Sequence, residues 1–128
     1  MENLGLNHYN LRAPLPLLEQ LRDFYCAVVG LRVGARPPLA SAGYWLYAGD
    51  AGVLHLSEAR AGEQRIPGAA GTFDHVAFSC TDAAGFQALL ERQGVAYRRV
   101  LVSQTGQVQL FFADPAGNGV ELNFTGEP

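Results

Sequence analysis

The sequence lacks most of what would mark a secreted, membrane-embedded or nucleic-acid-binding protein. Its 128 residues hold two cysteines. Cys26 lies inside a helical pattern and Cys80 at the end of a strand pattern, too few for a cross-linked scaffold, so both read as ordinary buried thiols of a reducing compartment. No apolar run approaches the ~20 residues that span a bilayer, and residues 1–5 lack the basic start and apolar stretch of a secretory signal. The expectations are no membrane association and a cytoplasmic location. Positive charge is scarce too: nine Lys and Arg against twelve Asp and Glu give a formal net charge of −3. The basic residues are scattered, and Arg98–Arg99, the densest spot, reads as solvated surface, so nothing resembles a nucleic-acid footprint. A small-molecule substrate or another copy of the chain is the partner to expect.

What the chain does have is a repeat. Leu6-Asn-His8-Tyr-Asn-Leu11 matches Phe73-Asp-His75-Val-Ala-Phe78, each a short alternating segment with histidine third. Apolar residues then fall at helical spacing, over Pro16 to Val29 in the first half and Ala83 to Gln93 in the second. Each helix stops at a glycine, Gly30 or Gly94, able to take the left-handed conformation. Strand-like Tyr44–Tyr47 corresponds to Val108–Phe112. Turns at Gly49–Gly52 and Asp114–Gly119 lead into Val53–Leu56 and Val120–Leu122. His8 and His75 are separated by nearly the same length of chain as His55 and Glu121. The pattern predicts a duplicated βαβββ unit in an α+β fold: two tandem modules, 1–58 and 72–128, joined by a surface connection over 59–71 and forming a curved mixed sheet around a cavity.

Alternation across strands places His8 with Asn10, His75 with Ala77 and Ser79, and Glu121 with Asn123, on faces opposite the apolar set that packs on the helices. His55 falls on the same kind of face. A carboxylate between Val120 and Leu122 is costly to bury unless paired or metal-bound, and no basic neighbour in sequence is at hand. One histidine in a strand is more often a hydrogen-bonded core residue than a ligand. Three histidines and a buried-looking glutamate at equivalent places in a repeat point instead to one divalent metal ion, Fe, Ni, Zn, Mn or Co, held by His8, His75 and Glu121. His55 would be a fourth ligand or a proton-transfer residue beside the ion. Gln107, Gln109 and Phe111 alternate onto one face, and Tyr44 and Tyr47 offer aromatic walls, so these five are the substrate-binding candidates.

These residues resemble the vicinal oxygen chelate superfamily, which includes glyoxalase I, extradiol dioxygenases, fosfomycin-resistance transferases and the metal-free bleomycin-resistance proteins. The resemblance rests on Leu6-Asn-His8, Asp23-Phe24-Tyr25 with Gly30-Leu31, the Phe73–Phe78 segment and Asp114–Leu122. It implies a homodimer and a metal-dependent enzyme. The leading expectation is a glyoxalase-like lyase or isomerase that chelates substrate through adjacent oxygens and uses Glu121, with His55, as its catalytic residues. The alternatives it implies are an extradiol ring-cleaving dioxygenase, whose three-ligand pattern leaves the His55 position free, and a non-catalytic small-molecule binding protein. The chain departs from bacterial glyoxalase-like sequences at His55, where they usually carry glutamate.

Overall fold

A computed structural model describes residues 1–68 and 71–125. Residues 69 and 70 of the expected connection, and 126–128 at the end of the second expected module, lie outside the described residues. The chain divides into two compact units, Met1–Ile66 and Pro67–Pro128. Each carries its own four-stranded mixed sheet and one α-helix, so the fold is α+β with two tandem modules.

In the first unit, β1 (Tyr9–Ala13) runs into α1 (Leu15–Phe24), followed by β2 (Arg32–Gly34), β3 (Gly43–Ala48) and β4 (Ala51–Glu58). The strand order is β1-β4-β3-β2, with β1 parallel to β4 and the other pairs antiparallel. Pro16 sits in the first turn of α1, where its missing N–H costs nothing. The expected helix to Val29 is present in length but not in kind, because Tyr25–Val29 form a π-helical turn ending at Gly30 in the left-handed region, φ +88°. Tyr25, Val28 and Val29 of this turn are buried, at the i, i+3, i+4 spacing that puts residues on one helix face. Leu18, Leu21 and Tyr25 pack with Leu46, Leu54 and Leu56 of the sheet, all essentially without exposure.

The second unit repeats the plan with β5 (His75–Ser79), α2 (Ala83–Arg92), β6 (Arg98–Val102), β7 (Gln107–Ala113) and β8 (Gly119–Phe124), in the order β5-β8-β7-β6. Asp82 caps α2 by accepting from Gly85 N, and Gly94, φ +69°, follows its end. Phe86 of α2 meets Phe124 of β8, ring centroids 5.8 Å apart. The turn between β7 and β8 is built on buried Asp114, whose Oδ1 accepts from the backbone N–H groups of Ala116 and Asn118 and whose Oδ2 accepts from Asn118 Nδ2.

Strand bounds differ from the sequence reading at the two histidine segments. β1 starts at Tyr9, leaving His8 just outside the strand, and β5 starts at His75 itself. Two strands, β2 and β6, follow the helices where no segment had been singled out, and Arg98–Arg99 open β6. Among the described residues no helix is long and apolar enough to cross a membrane.

Leu54 is fully buried on central strand β4, beside His55. Leu54→Ala should cost about 2–5 kcal/mol, read as a lower midpoint in urea unfolding. A loss under ~1 kcal/mol would show that α1 does not pack as described.

Candidate metal and ligand site

Strand register gathers the functional side chains into one row per sheet. In the first unit Asn10 and Trp45 lie on either side of His55. The Trp45 ring stacks on His55 at 3.9 Å between centroids and 5° between planes, and His8 stacks on the other face at 3.7 Å and 17°. His8 Nδ1 donates to Asn7 Oδ1 at 2.7 Å, which leaves Nε2 for another partner. Asn10 Nδ2 donates to Ser57 Oγ at 2.8 Å. Two parallel imidazoles hold their in-plane lone pairs side by side, so both serve one ion only if a ring turns out of the stack.

In the second unit Ala77 and Phe111 flank Glu121 across the sheet. Glu121 is 6% exposed, and its carboxylate has three polar partners. Oε2 accepts from Asn123 Nδ2 at 2.9 Å and from Gln109 Nε2 at 3.5 Å, while Oε1 lies 3.2 Å from His75 Nε2. His75 Nδ1 is 2.6 Å from Asp74 Oδ2. A histidine that gives one N–H to a carboxylate and turns its other nitrogen inward has the arrangement that orients metal-binding imidazoles. With the ring proton on Nδ1, Nε2 and Glu121 Oε1 are two facing acceptors. Their contact is favourable only if a second proton or a cation sits with them, and adjacent ligands at ~2.0–2.2 Å from one ion stand about this far apart. The donor set therefore fits a divalent metal. Gly119 makes room for the pair: a Cβ there would lie 3.0 Å from His75 Cβ and 2.2 Å from Asp74 O.

The structure thus joins His8 to His55 and His75 to Glu121, two expected ligands per unit. Among the described residues no group of three or more His, Cys, Asp or Glu side chains is gathered as a metal cluster. Gln107, Gln109 and Phe111 line the Glu121 face. Gln107 Nε2 donates to Asn123 Oδ1 at 3.4 Å, Phe111 meets His75 edge-on at 5.6 Å, and the Arg98 guanidinium lies 4.7 Å from the Phe111 ring centre.

Tyr44 requires a correction. It pairs with Leu56 and shares the face of buried Leu46. Its hydroxyl accepts from Arg22 Nη1 of α1 at 2.9 Å, so it belongs to the helix side and not to the His55 side. Tyr47 is on the His55 side, but its ring covers Gly34 and Gly52 and its hydroxyl donates to Ala35 O. The aromatic residue beside His55 is Trp45. Strict alternation with Leu46 as the core position was the signal that could have found it.

A model of the Glyoxalase/Bleomycin resistance protein/Dioxygenase superfamily matches residues 5–122. The chain belongs to this superfamily. No curated protein matches it in sequence. Among solved structures of the superfamily's fold, lactoylglutathione lyase from Agrobacterium tumefaciens is 22% identical with a TM-score of 0.69, covering 97% of this chain and 96% of its own. The fosfomycin resistance protein FosX from Listeria monocytogenes, complexed with Mn(II) and 1S,2S-dihydroxypropylphosphonic acid, is 16% identical with a TM-score of 0.71, covering 97% and 94%. TnmS3, an antibiotic binding protein from Streptomyces sp. CB03234, is 21% identical with a TM-score of 0.66, covering 97% and 99%. At these identities the likeness is one of fold, and the superfamily fold by itself selects no reaction.

Burial, then the positive charge of His8, push the His55 imidazole below its usual range. A backbone hydrogen bond with Gly52 works against them, and the charge of Arg36 adds to the lowering. The native state therefore binds fewer protons at this ring than the unfolded chain does. The stability contributed by neutral His55 is complete above ~6.5 and is lost as pH falls through the depressed native value. Ring-proton NMR should place the His55 midpoint under ~6.5, and Arg36→Gln should move it upward. A midpoint at or above that of a free histidine would contradict the burial described.

Proposed function

We propose that the protein is a divalent-metal-dependent enzyme of the vicinal oxygen chelate type, a glyoxalase-like lyase or isomerase whose small substrate is held through adjacent oxygens. The observation that carries this reading is the pair His75 Nε2 and Glu121 Oε1, 3.2 Å apart, a buried carboxylate facing a partly exposed imidazole, with His75 oriented from behind by Asp74. In this reading His8, His75 and Glu121 hold the ion, and His55 is a fourth ligand or a proton carrier. Iron, nickel, zinc, manganese and cobalt all accept such a donor set. When bound, the ion supplies Lewis acidity toward substrate oxygens.

The chain's own residues account for the remaining work. Asn123 and Gln109 hold Glu121 Oε2, which fixes the carboxylate with Oε1 toward His75 Nε2, and Glu121 is the group proposed to take and return a substrate proton. Phe111 and Trp45 supply apolar walls, Tyr47 borders the Trp45 side, and Gln107 with Gln109 supplies neutral donors for substrate polar groups. The protein is proposed to act as a homodimer in the cytoplasm.

Metal analysis of untagged protein tests the reading. About one equivalent of a divalent metal per chain is expected, falling to near zero in His75→Ala and Glu121→Ala. Iron would favour ring-cleaving dioxygenase chemistry, and nickel, zinc or manganese would favour the lyase. Wild-type protein that is metal-free and takes up no added divalent ion would overturn the enzyme and leave a binding protein, for which the Trp45–His55–His8 stack already offers an aromatic surface.

The dimer has its own check. Sedimentation equilibrium should give about twice the 13.7 kDa chain mass. If ligands come from both chains, mixing His8→Ala with His75→Ala protein should restore part of the metal uptake that each lacks alone. A 13.7 kDa species that binds metal fully would refute the dimer as a requirement.

A further inference from the structure

Arg36, in the segment between β2 and β3, is a cation that neither the fold nor the metal reading uses. Its Nη2 donates to Ser41 O at 2.8 Å and approaches Ser41 Oγ at 3.5 Å. The same nitrogen lies 3.1 Å from the position a Cβ would take on Gly43, so the guanidinium rests in space left by the missing side chain. Gly43 pairs with Ser57, two residues along β3 from the Trp45 and His55 pair. The charge of Arg36 reaches His55 from there. Arg36 Nε is buried and has no hydrogen-bond partner, and among the described residues Arg36 forms no ion pair with a carboxylate. A buried N–H without an acceptor costs about 1–3 kcal/mol, and more when it belongs to a charged group. A planar guanidinium held from one side, with donors left over, is matched to a flat or tetrahedral oxyanion.

We propose that Arg36 is the anchor for an oxyanion, a carboxylate or a phosphate-type group carried by the ligand that lies on the Trp45–His55 face. The guanidinium supplies the countercharge and its Nη donors, while Ser41 O fixes its orientation. The ligand class narrows to small anionic molecules, with the anionic group at the Gly43 end of the stack and the remainder over the rings. The proposal shares with the enzyme reading only the choice of this face as the ligand side, and it needs no metal.

The test uses full-length protein stripped with chelator, so that failure of the metal site leaves it untouched. Trp45 is the chain's only tryptophan, and its fluorescence reports on the stack. Inorganic phosphate and acetate are titrated separately against sodium chloride of equal ionic strength, and thermal midpoints are recorded alongside. Saturable fluorescence change and a rising midpoint are expected with at least one oxyanion and not with chloride. Arg36→Gln should weaken that binding about tenfold or more, judged as the ligand-induced rise over each variant's own ligand-free midpoint, because the substitution removes both the unsatisfied Nε and the bond to Ser41 O. Arg36→Lys, which keeps the charge but loses the fork, should fall between the two and serves if the glutamine variant does not fold. A preference for phosphate would identify a phosphate-type group, and a preference for acetate a carboxylate. The proposal is overturned if neither anion binds the wild type above the chloride response, or if the Arg36 variants bind as well as the wild type.

Discussion

A carboxylate buried on a central strand is the constraint around which the second unit is arranged. Glu121 sits on β8, bordered by β5 and β7, with almost no exposure. The apolar face of the same strand, Val120, Leu122 and Phe124, is committed to the core, so the strand cannot rotate or slip to bring the charge to water. Three polar side chains are consequently turned toward it. Asn123 lies two residues along the same strand, Gln109 comes from β7 and His75 from β5, while Asp74 holds His75 from outside. Gly119 lets the β5 backbone approach closely enough for this.

The first unit has the same strand plan with a different solution. The position that corresponds to Glu121 carries His55, a ring that can stack, and it lies between Trp45 and His8. An aromatic column replaces the polar cluster. The difference shows how one duplicated backbone presents two kinds of surface, charged and hydrogen-bonded in one unit, aromatic and bordered by a guanidinium in the other.

Much of this was legible in the sequence because strand periodicity is rigid. Glu121, Gln107, Gln109 and Phe111 share a face because they alternate with Val108, Leu110, Phe112, Val120 and Leu122, which are buried, and His75 alternates with half-buried Val76. Tyr44 lies off its expected face for the same reason, applied one residue further along: Leu46 takes the core side, Tyr44 follows it, and Trp45 goes to the face where Tyr44 had been expected. The π-helical turn at Tyr25–Val29 was hidden because no local propensity signals it, and the inward residues keep a spacing that an α-helix would also give. The strands β2 and β6 are short or exposed at the sheet edge, with little of the apolar alternation that marks a strand.

The sequence alone determined the duplicated βαβββ plan, the superfamily and the glycines that end the helices. Those follow from local periodicity and from repetition, which a linear chain displays directly. Tertiary structure decided which side chains meet: His55 against Trp45 and His8, Glu121 against His75, and Arg36 laid over Gly43 with a donor unspent. Such contacts depend on strand register and on backbone close approaches between residues far apart in the chain, and no local pattern encodes them.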